Sequence, residues 1–467
     1  MRKLTAVAVW FGLLSTAIGA AETKSVGNTG EEPVNEVIKD RHMEAVVTRV
    51  ESLRDEMVSL AQQLVRTNTV NPYSGDPAER CGSEAAGQAV IEPLLTGIGA
   101  RVEKFDCPAD IYAATGVLGP KNRDFRGRPN LVAEMAFGPG RQRALLMFHM
   151  DTVGVTGMTI APHAGNIRDG KLYGRGSSDC RTGIAAAIVA ARVLHEFRDR
   201  LRGSLTIFSV AEEECNGGGA GALACVQRLK TSLPPLALQS PLFSFAICTD
   251  GAGPWLSRGY GGVITAELRV RGQGGHAAGP GGVNAIDKAV WVKGAVDAFK
   301  RERESAQEGA RVNLGIFRAG VHPAVIPADA LLAFNASTTV ADDSVSVRAR
   351  FERVLRDHEA RDEWLRDHPA ALEWIKDLAP YETPADHWLV RDLASAHEQV
   401  LGQPAKVELN PAWSDACWLA REGIPTVNYG AGTPGQAHSD DEHAELSRMV
   451  DCCKVLTAFL YEQLQTR

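Results

Sequence analysis

Basic charge is in short supply in this chain. Its 50 Lys and Arg stand against 57 Asp and Glu, a formal net charge of −7 over 467 residues, so nucleic acid and anionic membrane surfaces are excluded as natural partners. Paired cysteines are also missing. The nine cysteines (Cys81, Cys107, Cys180, Cys215, Cys225, Cys248, Cys417, Cys452, Cys453) contain no C-x-x-C spacing and are odd in number, which rules out a disulfide framework. Cys81 and Cys107 are the first pair to examine for a bridge, and buried free thiols are expected for most of the nine. Beyond the N-terminus no segment approaches a membrane span, and there is no internal repeat or further low-complexity block.

What remains is ordinary for a globular enzyme: 44% hydrophobic residues, 23% charged, 46 glycines and 23 prolines suit a loop-rich α/β chain. The length suggests two or three domains. Residues 1–21 carry Arg2 and Lys3, an apolar stretch and small residues before Glu22, and read as a secretory signal peptide cleaved near Ala20 or Ala21. The mature protein is then expected to be periplasmic or secreted, with no membrane association after cleavage. An uncleaved anchor is the alternative.

After a polar segment at 22–42, residues 43–66 place Val46, Val50, Leu53, Met57, Leu60 and Leu64 at helical spacing. Short apolar runs follow at 130–137, 144–149, 205–210 and 243–248, with an Ala-rich, helix-length stretch at 182–197. Runs buried on both faces with helices between them predict a mixed, largely parallel sheet flanked by helices. The texture changes near Gly261: alternating strands, a glycine-rich loop, a helix at 285–299 and a charged helical stretch at 344–376 suggest an inserted α+β unit over 261–376. The flanking parts, 43–260 and 377–467, form the main domain, the second part opening with a helix at 388–401.

The chemistry collects at strand ends, where α/β sheets gather active sites. His149 ends one apolar run in FHMDTV, Asp179 lies in GRGSSDCRTG, Glu212, Glu213 and Glu214 follow another run in SVAEEEC, Asp250 follows a third in ICTDGAG, and His438 lies in GQAHSDDEH. Two imidazoles and three carboxylates suffice for two divalent metals. Asp151 sits two residues after His149, where it can orient the imidazole. Three adjacent glutamates beside a buried sheet are costly unless something positive is near; one can ligate while a neighbour outside the ligand set moves protons. Taken singly, each motif is weak: a histidine or acid at a loop is common, and Asp179 also suits a helix N-terminus.

Taken together, HMDTV, GRGSSDCRTG, AEEE with its glycine cluster, RVRGQGGHAAGPGGVNAI and GAGTPGQAHSDDEH resemble, in order and spacing, the M20 metallopeptidase family, which includes acetylornithine deacetylase, succinyl-diaminopimelate desuccinylase, carboxypeptidase G and aminoacylase. The resemblance covers the chain from about Met43 onward. It implies a zinc-exopeptidase-like catalytic domain with an inserted α+β dimerisation or lid domain, and two Zn²⁺ per subunit, with Co²⁺ or Mn²⁺ able to substitute. It further implies that His149 and Asp250 hold one metal, Glu213 and His438 the other, and Asp179 bridges them. Glu212 is implied as general base, Asp151 as the partner of His149, and His276 as a catalytic residue reaching the neighbouring subunit's site in a homodimer.

The chain departs from the family at two places. The usual Asp-Glu-Glu is Ala211-Glu212-Glu213-Glu214 here, so a one-residue shift makes Glu213 the base and Glu214 the ligand; the first register is preferred because it aligns Phe208 and Gly219. In the inserted unit, Ala324-Val325-Ile326-Pro327 and Asn335-Ala336-Ser337 replace the usual Asn-Val-Ile-Pro and Asp-x-Arg. The expected activity is hydrolysis of an amide bond in an N-acyl amino acid or small peptide. The alternatives are hydrolytic deamination of an unusual amine at the same site, and an exported metal-containing binding protein without turnover.

Overall fold

Three of the apolar runs become neighbouring parallel strands because their side chains are buried on both faces. Arg143–His149 pairs in parallel with Gly203–Val210 on one side and Phe245–Cys248 on the other. Alternation sorts the side chains. Leu146, Phe148, Leu205, Ile207 and Ile247 enter one apolar cluster, while Leu145, Met147, Phe208, Val210 and Cys248 enter another. The Ala-rich helix Thr182–Glu196 and the closing helix Leu446–Thr466 join the first cluster. Ala220–Ser232 and Cys417–Arg421 supply the second.

The computed structural model describes residues 32–215, 217–232, 242–306 and 309–466. Contacts divide the chain into Met1–His42 and Met43–Arg467, and the sheets and the site described below lie in the second unit. The leader read at 1–21 lies outside the described residues. Among the described residues no helix is long and apolar enough to cross a membrane.

The main sheet runs Arg101–Asp106, Pro129–Gly138, Gly203–Val210, Arg143–His149, Phe245–Cys248, Thr426–Asn428, Leu256–Tyr260, Tyr381–Glu382, with Val407–Asn410 beside Leu256–Tyr260. Four adjacent strands in its middle are parallel, so their C-terminal ends open on one edge. The fold is mixed α/β, as expected. A second sheet has the order Val312–Ala319, Asp329–Thr338, Gly262–Arg271, Ala371–Leu378, all antiparallel. It packs Ile264, Leu268 and Leu332 against Val292, Val296 and Phe299 of the helix Ala285–Ala306 and Phe351 of Ser344–Glu359.

Two local expectations are corrected. The charged stretch at 344–376 is not helical throughout: helices Ser344–Glu359 and Glu363–Asp367 end before Pro369, and Ala371–Leu378 is a strand. Pro369 cannot continue a helix, and ALEWIKDL finds a partner in Gly262–Arg271. The polar segment before residue 43 contributes to the helix Glu32–Ser52. All nine cysteines are free, Cys81 and Cys107 included.

Candidate metal centre

The ends of the parallel strands and the loops beside them bring five parts of the chain together. His149 is the last residue of its strand; Glu212 to Glu214 follow Val210; Asp250 lies two residues beyond Cys248. Asp179 comes from the turn before the helix at Thr182, in a segment with a cis Asp179–Cys180 peptide. His438 descends from the loop after Thr426–Asn428 with a left-handed backbone, φ 63°.

Asp179 stands between the two histidines. Its Oδ1 is 2.8 Å from His149 Nε2 and its Oδ2 is 3.4 Å from His438 Nε2. Asp250 Oδ1 is 3.8 Å from His149 Nε2, and Glu214 Oε1 is 3.2 Å from His438 Nε2. Three overlapping groups have donor atoms that all lie within 4.8 Å of one another: His149, Asp179, Cys180 and Asp250; His149, Glu213 and Glu214; Asp179, Glu214 and His438. The sharing of Asp179 between the first and third groups is the arrangement a bridging carboxylate requires.

His149 and Asp151 meet differently from the sequence-based expectation. His149 Nδ1 is 3.1 Å from the Asp151 carbonyl oxygen and 3.8 Å from its carboxylate. A proton on Nδ1 bonded to that carbonyl leaves Nε2 free to face the cluster. The Asp151 carboxylate is occupied elsewhere: it accepts from the backbone N–H groups of Glu213 and Glu214 at 3.2 and 3.1 Å, and from Asn71 Nδ2 at 2.8 Å. Asp151 therefore holds the glutamate turn as well as the histidine.

The preferred glutamate register is not the one the geometry supports. Glu212 is fully buried and belongs to none of the three donor groups. Its Oε2 lies 2.6 Å from Arg128 Nη1 and its Oε1 lies 3.3 Å from Arg123 Nε. Arg128 also holds buried Glu84 through two bonds of 2.9 and 2.5 Å. Glu214 takes the place expected for Glu213 opposite His438. Glu213 lies between, its carboxylate forming neither a salt bridge nor a side-chain hydrogen bond among the described residues. A carboxylate tied up by two buried guanidiniums is a poor proton shuttle; an uncommitted neighbour is a good one.

Burial raises the carboxyl of Glu213 well above the ordinary range; the His149 charge opposes this, and Asp415 and Glu214 add to it. Glu214 and Asp250 are also raised, first by burial and then by the negative charge of Asp179. Burial works against the ionised form of Asp179 too, but hydrogen bonds from His149 and His438 prevail and hold it well below the usual value. His438 is pushed up to about 11 by its hydrogen bonds to Asp179 and Glu214. Four carboxylates around two imidazoles are a donor set that could hold cations. The donor set of nitrogen and oxygen, with one carboxylate reaching both histidines, fits two zinc-type ions.

Residues the sequence did not single out support this centre. Glu442 is buried, pairs with Arg175 at 2.8 Å and accepts from the N–H groups of Gly176, Ser178 and Asp179 at 3.0, 2.9 and 3.2 Å, so it fixes the turn that carries Asp179. Asn71, Arg123 and Arg128 hold the glutamate turn. The only sequence signal for Glu442 was its place in GQAHSDDEH, and nothing marked the others. Cys180, beside Asp179, is buried and pushed up to about 11, chiefly by loss of solvent, and so behaves as a packed thiol. His276 lies outside the cluster. It sits on an exposed turn in the short pairing Gly275–His276 with Val325–Ile326, its Nδ1 accepting from Ala278 N at 3.1 Å.

A family model described as Peptidase family M20/M25/M40 matches residues 145–462, and the chain belongs to that family. It is a metal-dependent hydrolase acting on amide or peptide bonds. By sequence it is 24% identical over 459 residues to N-formyl-4-amino-5-aminomethyl-2-methylpyrimidine deformylase of Halalkalibacterium halodurans, covering 91% of this chain and 98% of that one. It is 26% identical over 417 residues to succinyl-diaminopimelate desuccinylase of Cupriavidus necator, covering 87% and 98%. The fold is shared with a di-peptidase from Saccharomyces cerevisiae at a TM-score of 0.71 and 14% identity, over 91% of this chain and 99% of that one. It is also shared with human carnosine dipeptidase 1, at 0.70 and 16% identity over 91% and 99%.

Proposed function

We propose that this chain is a dinuclear zinc hydrolase that removes an acyl group from a small N-acyl substrate, an N-acyl amino acid or short peptide, releasing a carboxylate and an amine. The observation that carries this reading is the uncommitted Glu213 beside a donor cluster that already contains enough other ligands. His149 and Asp250 would hold one ion, Glu214 and His438 the other, with Asp179 between them. When bound, two such ions supply positive charge that acidifies water and polarises a carbonyl.

The chain's own residues do the rest. Glu213 takes a proton from the attacking water and delivers it to the leaving nitrogen. Asp151 fixes both the His149 ring, through its carbonyl, and the Glu213–Glu214 turn, through its carboxylate. The names of the relatives, a deformylase and a desuccinylase, favour an acyl amide over deamination.

His276 completes the proposal as a donor to the scissile carbonyl in a partner subunit. A homodimer is supported by the exposed apolar side chains Ile286, Val290 and Trp291 on the helix Ala285–Ala306. The leader at 1–21 makes export to the periplasm or medium part of the same proposal.

The test is hydrolysis of a panel of N-formyl, N-acetyl and N-succinyl amines and amino acids, with dipeptides, by zinc-loaded protein, read by mass spectrometry. Release of acid and amine from one acyl class supports the reading. Tight binding with no product, or release of ammonia alone, overturns it.

A further inference from the structure

The turn that presents Glu213 and Glu214 is bracketed by two strained residues. Glu212 has φ 63° and Cys215 has φ 59°, a left-handed conformation that is unfavourable for a residue with a side chain. Such residues persist only where their surroundings over-determine them. One side chain touches both. Arg123 Nε lies 3.3 Å from Glu212 Oε1, and Arg123 Nη2 donates to the Cys215 carbonyl at 3.0 Å. The guanidinium lies 3.9 Å from the centre of the Tyr73 ring, and its side chain is only 10% exposed.

Those contacts form a clamp across a four-residue turn. The planar guanidinium can face a carboxylate with one edge while another N–H donates to a carbonyl, a fixed geometry that a lysine's single ammonium does not offer. The aromatic ring beneath it removes freedom that the long side chain would otherwise keep. Tyr73 belongs to the same support: its N–H donates to Asn71 Oδ1 at 2.9 Å, and Asn71 Nδ2 reaches Asp151 at 2.8 Å and Glu212 at 3.2 Å. Arg123 and Asp151 thus hold the turn from different sides, one through Glu212 and Cys215, the other through the N–H groups of Glu213 and Glu214.

We infer that Arg123 is a positioning residue for the hydrolysis: by pairing with the Glu212 carboxylate at one strained end of the 212–215 turn and donating to the Cys215 carbonyl at the other, it sets where the Glu213 and Glu214 carboxylates point. The inference rests on the functional reading above. Misplacing a reacting group by about 1 Å can cost on the order of 100-fold in rate, so a released turn is expected to lower kcat far more than it changes KM.

The experiment compares the full chain with Arg123→Ala, Arg123→Lys and Tyr73→Leu, measuring kcat, KM, zinc affinity and the folded fraction, with and without methylguanidinium. For Arg123→Ala the expected result is a fall in kcat of about 30- to 100-fold with KM within about threefold, and partial recovery on adding methylguanidinium. Arg123→Lys, which keeps the charge and loses the fork, is expected to stay well below wild type. Tyr73→Leu gives a smaller fall and serves if Arg123→Ala does not fold. A kcat within twofold of wild type in a folded Arg123 or Tyr73 variant overturns the inference, as does a loss that tracks the folded fraction alone with no rescue. If the wild-type chain cleaves no amide, the functional reading fails, and zinc affinity decides about Arg123: about tenfold weakening in Arg123→Ala supports it, and an unchanged value overturns it.

Discussion

His438 Nε2 faces Glu214 Oε1 at 3.2 Å, while Glu213, one residue earlier, makes no salt bridge among the described residues. That pairing is the reason Glu214 is proposed as the metal ligand. Replacing Glu214 or His438 by alanine removes one of three donors from the same group, so zinc per folded chain is expected to fall from two towards one, measured by elemental analysis after gel filtration. Full zinc in Glu214→Ala, with loss in Glu213→Ala instead, would return the ligand role to Glu213.

The turn carrying Asp179 depends on Glu442. Its carboxylate pairs with Arg175, whose side chain is 4% exposed, and accepts the N–H groups of Gly176, Ser178 and Asp179. Removing one partner of a buried pair costs about 3–5 kcal/mol. Glu442→Ala is expected to lose stability of that order in urea denaturation and to bind zinc more weakly, because Asp179 loses its support. A variant as stable as wild type would mean the pair is dispensable.

Stability should carry a pH signature from Lys376. The residue is buried, its ammonium 4.5 Å from the Trp413 ring centre. Burial pushes it down to about 8 from the ordinary 10.5, with Glu213 and Asp415 opposing. As pH falls from 10.5 the unfolded chain takes up the proton first, so the folded state loses ground down to about pH 8 and no further below it. Lys376→Met escapes this penalty. The stability of the variant relative to wild type is therefore expected to rise by up to about 3 kcal/mol between pH 10.5 and pH 8 and then level off. A difference that does not change with pH would contradict the buried, depressed ammonium.

The strand ends were legible in the sequence because each apolar run stops at a polar residue that the parallel sheet delivers to the same edge. His149, Asp179, Asp250 and His438 are brought together as expected. The glutamate register was not legible: three identical residues follow Val210, and a shift of one changes which of them faces the histidines. What decides it lies far along the chain, in Arg123 and Arg128 drawing Glu212 inward and in Asp151 accepting the next two N–H groups. The aligned Phe208 and Gly219 carried no information about those contacts. The strand Ala371–Leu378 was hidden for a similar reason, since its charged residues read as a helix face until its partner strand is known.

Glu213 is proposed to move the proton in a site whose metals are held by other residues. The most direct measurement is turnover of zinc-loaded Glu213→Gln on an amide that the wild-type chain cleaves, with bound zinc counted in the same sample. Two zinc ions retained and a rate lower by about two to four orders of magnitude is the predicted result. A rate near wild type with both metals in place would contradict it.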